Sequence, residues 1–139
     1  MSCADCTGDD RSYEKFVQFS PERYRRNRMH SGAAYDALVL CWRAGQVSPI
    51  HDHRGSACAV RVIRGKATET LYEMTEEGRV FPTHTRQLPE GYMCATQDLD
   101  IHRLGNSQPS GDLITLHGMR LETWTDPADL FTVHYFRLK

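Results

Sequence analysis

The sequence predicts an all-β fold, a sandwich or barrel, on three observations. It breaks into many short apolar or alternating runs. Turn signals punctuate these runs every ~8–12 residues, the rhythm of sandwiches and barrels. At 139 residues, the chain suits a single core, since one domain commonly holds ~100–200 residues.

Taken in order, residues 1–12 read as a disordered polar tail and residues 13–139 as one domain. Cys3 and Cys6 form a CxxC in that tail without a second CxxC, a poor basis for a metal or redox site. The stretch 13–29, "YEKFVQFSPERYRRNRM", is expected to form short helices in two pieces, with Ser20 and Pro21 as N-cap and first helical residue of the second. The run "DALVLCWR" (36–43) is an apolar strand. In "SACAVRVIRG" (56–65), Cys58, Val60 and Val62 share one face, because strand side chains alternate. "KATETLYEM" (66–74) alternates again after a turn at Gly65 and Lys66. "GRVFPTHTRQL" (78–88) is a weaker strand, since it carries Pro82. Further short strands are expected near 92–96, 101–104, 112–119 and 131–138.

Composition narrows the function classes. Hydrophobic residues make up 40% and charged residues 25%, with net charge −1. That balance gives no electrostatic reason to expect nucleic acid or an anionic membrane. There is no apolar run near the ~18 residues of a membrane span. The N-terminal stretch lacks the apolar region of a secretory signal. A cytoplasmic protein is expected, with its five cysteines reduced. It would be a monomer or homodimer.

The chemistry concentrates in "GQVSPIHDHRGSACAVRVIRG" (45–65). His51 and His53 stand two apart, so on extended backbone both can reach one ion while Asp52 faces away. His102 in "LDIHRLGN" is the best third ligand. A lone histidine is usually a solvated side chain, and the pair alone does not establish a metal site. The frame around the pair is more specific. Gly45, five residues, His51-x-His53, four residues, Cys58, six residues and Gly65 reproduce the first cupin motif. Pro89-x-Gly91, and His102 followed by Asn106, match parts of the second. The chain therefore resembles a single-domain cupin, a small jelly-roll barrel. Cys58 stands where most cupins carry a glutamate ligand, so a divalent ion here would lack a compensating carboxylate and favour an anionic ligand.

Two flanking segments sharpen the resemblance. "RYRRN" (23–27) precedes the motif and "LITLHG" (113–118) follows it. With "HDHRGSAC", they resemble the cysteine dioxygenase family of thiol dioxygenases, over about Tyr24 to His117. By that resemblance, His51, His53 and His102 would hold Fe(II). Arg26 would bind the substrate carboxylate, a pairing its bidentate fork suits. Tyr24, His117 and Cys58 would complete the catalytic set, and Met119 would join Arg26, Tyr24 and His117 around the substrate. The partners implied are a small thiol and O2. The product would be a sulfinic acid, or an altered product of further oxidation, decarboxylation or S–N bond formation.

One departure stands out. The family carries a tyrosine two residues after its His117 position, cross-linked in some members to the cysteine at the Cys58 position. Here that residue is Met119. A thioether cross-link to it cannot form, and methionine donates no hydrogen bond. Two rival readings stay open: a cupin module that binds a metal or small ligand without turnover, and a cupin enzyme that acts on carbon.

Overall fold

The computed structural model describes residues 11–33, 35–53, 56–97, 100–121 and 134–135. Cys3 and Cys6 lie outside the described residues. Arg11 and Ser12, expected in the tail, open a 3-10 helix, Arg11–Phe16.

The described residues form ten strands: β1 (Arg25–Ser31), β2 (Tyr35–Trp42), β3 (His51–Asp52), β4 (Ser56–Arg64), β5 (Ala67–Met74), β6 (Val80–Leu88), β7 (Met93–Gln97), β8 (Ile101–Gly105), β9 (Leu113–Leu121) and β10 (His134–Tyr135). They make two five-stranded sheets, in the orders β1-β2-β9-β4-β7 and β10-β3-β8-β5-β6. Every pairing is antiparallel. This is the all-β cupin architecture that the sequence predicts.

The second N-terminal helix is a correction. Residues 25–31 are strand, in register with β2 from Arg25↔Cys41 to Ser31↔Asp36. Ser20 caps no helix; its Oγ accepts the Glu22 N–H in a local turn. Arginine-rich sequence favours helix only weakly, and pairing with β2 overrides that preference. The alternation was hard to see because both faces of β1 carry arginine. Met29 joins the outer cluster, whereas Tyr24 packs on the inner one.

The main core lies between the sheets and includes Leu38, Leu40, Trp42, Cys58, Val60, Val62 and Leu104. A second cluster, Val39, Cys41 and Ile114, is covered by Tyr13, Phe16, Val17 and Phe19. Alternation along β2 thus feeds two cores, which is why its sequence is an unbroken apolar run. Gly65 makes the turn from β4 to β5 with φ +84°, and a Cβ there would stand 2.5 Å from the Asp112 carbonyl oxygen. Pro82 sits on β6, an edge strand, beside an irregularity in its register with β5.

Asn106 ties the loop after β8 to the core. It is fully buried and donates to the carbonyls of Trp42 and Gly111, while its Oδ1 accepts from the Gln108 backbone N–H and side-chain amide. No helix among the described residues is long and apolar enough to cross a membrane.

Candidate metal centre

β3 is only two residues long, yet it sets the centre. His51 pairs with His102 of β8, and Asp52 turns away and is buried. The three Nε2 atoms converge: His51 to His53 at 3.2 Å and His53 to His102 at 3.2 Å. All three donor atoms lie within 4.8 Å of one another.

Hydrogen bonds at the opposite ring nitrogens orient two of these rings. His51 Nδ1 lies 2.8 Å from the Pro49 carbonyl oxygen. His102 Nδ1 lies 2.9 Å from Glu69 Oε1. Both oxygens only accept, so each Nδ1 carries the proton and each Nε2 presents a lone pair. His53 can donate from Nε2 to at most one of the two. At least one lone pair therefore faces another donor atom across the centre, a repulsion that a shared cation relieves. Imidazole nitrogens bound to one ion at ~2.1 Å stand about this far apart, so the residues fit a divalent metal.

The electrostatics agree. Burial, and then the neighbouring His102, lower the His51 pKa to about 4. Burial followed by His51 and His102 lowers that of His53 to about 3. Both rings are therefore neutral near pH 7, the form in which imidazole binds metal.

The histidines open onto a cavity of about 50 Å³. Tyr24, Arg26, His117 and Met119 line it with them, so seven of the eight residues singled out from sequence meet in one place. Tyr24 stacks on Trp42, ring centroids 4.2 Å apart. Arg26 lies opposite Leu40, and no ion pair engages it among the described residues. His117 is reached by a relay. The Trp42 indole N–H donates to Thr115 Oγ1 at 3.0 Å, and Thr115 Oγ1 lies 2.8 Å from His117 Nε2. Burial lowers the His117 pKa to about 3, so it too stays neutral.

Cys58 is the exception. It is 3% exposed within the main core and does not line the cavity. Burial pushes its thiol up to about 12, the behaviour of a packed small hydrophobe.

The sequence reading missed Glu69. It is buried on β5, where its Oε2 accepts from Arg86 Nε at 2.5 Å. Burial alone would raise its pKa, but hydrogen bonds from His102 and Arg86 outweigh burial and hold it lower. The available signal was its phase: Glu69 is two residues from buried Ala67, so it shares that face of the strand.

The model of a family described as cysteine dioxygenase type I matches residues 3–121. The chain belongs to the cysteine dioxygenase family. Cysteine dioxygenase type 1 of Danio rerio is 31% identical over 108 residues, which cover 74% of this chain and 54% of that protein. The chain thus spans about half the length of this relative. Among solved structures, an uncharacterised protein with a double-stranded β-helix domain from Klebsiella pneumoniae aligns with TM-score 0.62 and 18% identity, covering 82% of this chain and 90% of the other. A cupin protein from Desulfovibrio desulfuricans aligns with TM-score 0.55 and 18% identity, covering 75% and 88%. These two likenesses speak to the cupin fold. Met119 lies on the cavity wall itself.

Proposed function

We propose that this protein is an Fe(II)-dependent thiol dioxygenase that oxidises the sulfur of L-cysteine, or of a closely related small thiol carboxylic acid, with O2. The observation that carries the reading is the shared cavity: Arg26 and the three converging imidazoles face one space of about 50 Å³. A water needs ~10–15 Å³ of such space, so this one suits a ligand of a few heavy atoms.

The overall change is RSH plus O2 to RSO2H, with both oxygen atoms retained and no external reductant. Iron held by His51, His53 and His102 supplies, when bound, a meeting place for thiolate and O2 and the electron exchange between them. Everything else falls to the chain. Arg26 binds the carboxylate through its bidentate fork and fixes the substrate's orientation. Tyr24, held by its stack on Trp42, limits the space beside it. Thr115 Oγ1 accepts from the Trp42 indole N–H and also hydrogen-bonds His117 Nε2, which holds the His117 ring in place. Neutral His117 has one ring nitrogen that donates and one that accepts. Met119 contributes an apolar wall.

The test is O2 uptake by Fe(II)-loaded protein with L-cysteine, with mass analysis of the product. A gain of both oxygen atoms supports sulfinic acid formation, whereas another mass points to chemistry altered at Met119. Metal binding without O2 uptake for any thiol favours a binding module. Turnover of carbonyl substrates, indifferent to Arg26→Ala, favours a cupin enzyme acting on carbon.

A further inference from the structure

We propose that Glu69, braced by Arg86, is a positioning residue: it fixes the ring of His102 and thereby sets the affinity and ligand field of the three-histidine centre. The inference rests on the metal-site reading above and adds two residues to it.

Register explains how the group is built. Glu69 lies opposite Leu104 on β8, and His102 lies opposite Leu71, so the two side chains meet on the diagonal. On its other flank, Glu69 lies directly opposite Arg86 of β6. One carboxylate oxygen therefore accepts from His102 Nδ1 and the other from Arg86 Nε, at 2.9 and 2.5 Å. Arg86 is itself steadied, its guanidinium 5.9 Å from the Tyr92 ring centroid.

This arrangement is ill-suited to serve stability alone. Glu69 is 5% exposed but Arg86 36%, and an ion pair that takes a carboxylate out of water commonly does no better than apolar side chains of the same volume. It is well suited to orienting a ligand. A carboxylate behind an imidazole fixes its tautomer and angle and raises its donor strength. His51 has only a peptide carbonyl in the equivalent place. The centre is thus asymmetric, with His102 backed by a carboxylate and His51 by a peptide carbonyl. Arg86 prevents the carboxylate from turning away, since both of its oxygens are engaged.

The experiment is a Co(II) titration of the full chain, read by visible absorption, for wild type, Glu69→Gln, Arg86→Gln, Arg86→Lys and the double Gln variant. Thermal melting of each metal-free protein accompanies it. Expected is a 10- to 100-fold loss of Co(II) affinity in Glu69→Gln, with a displaced absorption band. Arg86→Gln should lose less, Arg86→Lys should recover most of that loss, and the double variant should be no worse than Glu69→Gln. Wild-type affinity and an unchanged band in Glu69→Gln would overturn the proposal. Should Glu69→Gln not fold, the Arg86 pair decides: equal affinity and spectra in wild type, Gln and Lys variants would refute the brace. A wild-type protein that binds no Co(II) would remove the metal site, and this inference with it.

Discussion

Cys58 of β4 and Met119 of β9 are directly opposed in the register of the sheet. Directly opposed strand residues carry Cβ atoms ~4.5–5.5 Å apart, close enough for side chains to meet. Cys58 is buried in the core and Met119 packs against that core from the cavity side. In Met119→Tyr, the introduced phenol would lie beside the thiol. A cross-linked form is expected to accumulate with turnover, resolved as a second band on a denaturing gel. A single band after many turnovers would mean that the two side chains do not meet.

His51→Ala should abolish stoichiometric metal binding, because only two of the three converging nitrogens remain. Metal content after dialysis is the measurement. Full occupancy in the variant would rule out the ligand assignment.

Arg26→Ala should raise KM for L-cysteine by roughly 10- to 100-fold, the equivalent of a charged hydrogen bond worth about 1.5–3 kcal/mol. Cysteamine lacks the carboxylate and provides the control. A similar rise with cysteamine would show that Arg26 serves the fold or the metal rather than the carboxylate.

Stability of the metal-free protein should climb as pH rises from about 4 towards 6.5. His51, His53 and His117 have folded pKa values of about 4, 3 and 3, below the ~6.5 of unfolded histidine. Across that window the unfolded chain binds more protons than the folded one, so acid favours unfolding. The urea midpoint should be lower at pH 5 than at pH 7, and equal midpoints would contradict the buried neutral rings.

Asn106→Ala should destabilise the fold by about 1–3 kcal/mol, because one buried and one part-buried carbonyl lose their donor. Those are the carbonyls of Trp42 and Gly111. Urea unfolding would measure the change, and an unchanged midpoint would mean that water replaces the amide.

The sequence carried the strands well where one face is apolar, as in β4 and β5, because period 2 is then visible in the residues themselves. It carried His51 and His53 because the pair's spacing and the surrounding motif are local, and His102 because a second short motif surrounds it. It misled at β1, where Arg26 is exposed and lines a cavity rather than a core, so apolar alternation vanishes. It concealed Glu69 for a related reason: a carboxylate on an inward face makes sense only once its two partners, distant in sequence, are in place. The relay from Trp42 through Thr115 to His117 depends likewise on the register of β2 against β9, which residue type alone does not encode.

The site draws its parts from opposite walls of the barrel. Arg26 is carried by the sheet of β1, while His51 and His102 are carried by the sheet of β3 and β8. Facing sheets stand ~10 Å apart at a distance fixed by the side chains between them. On the proposed function, the span from carboxylate anchor to metal is therefore a wall-to-wall dimension, and Leu38, Leu40 and Leu104 are its spacers. On that function, the barrel would act as a gauge for ligand length. A thiol acid one methylene longer or shorter must strain itself or move a close-packed core that resists displacement. Discrimination between such homologues then belongs to the rigidity of the fold as much as to any one contact.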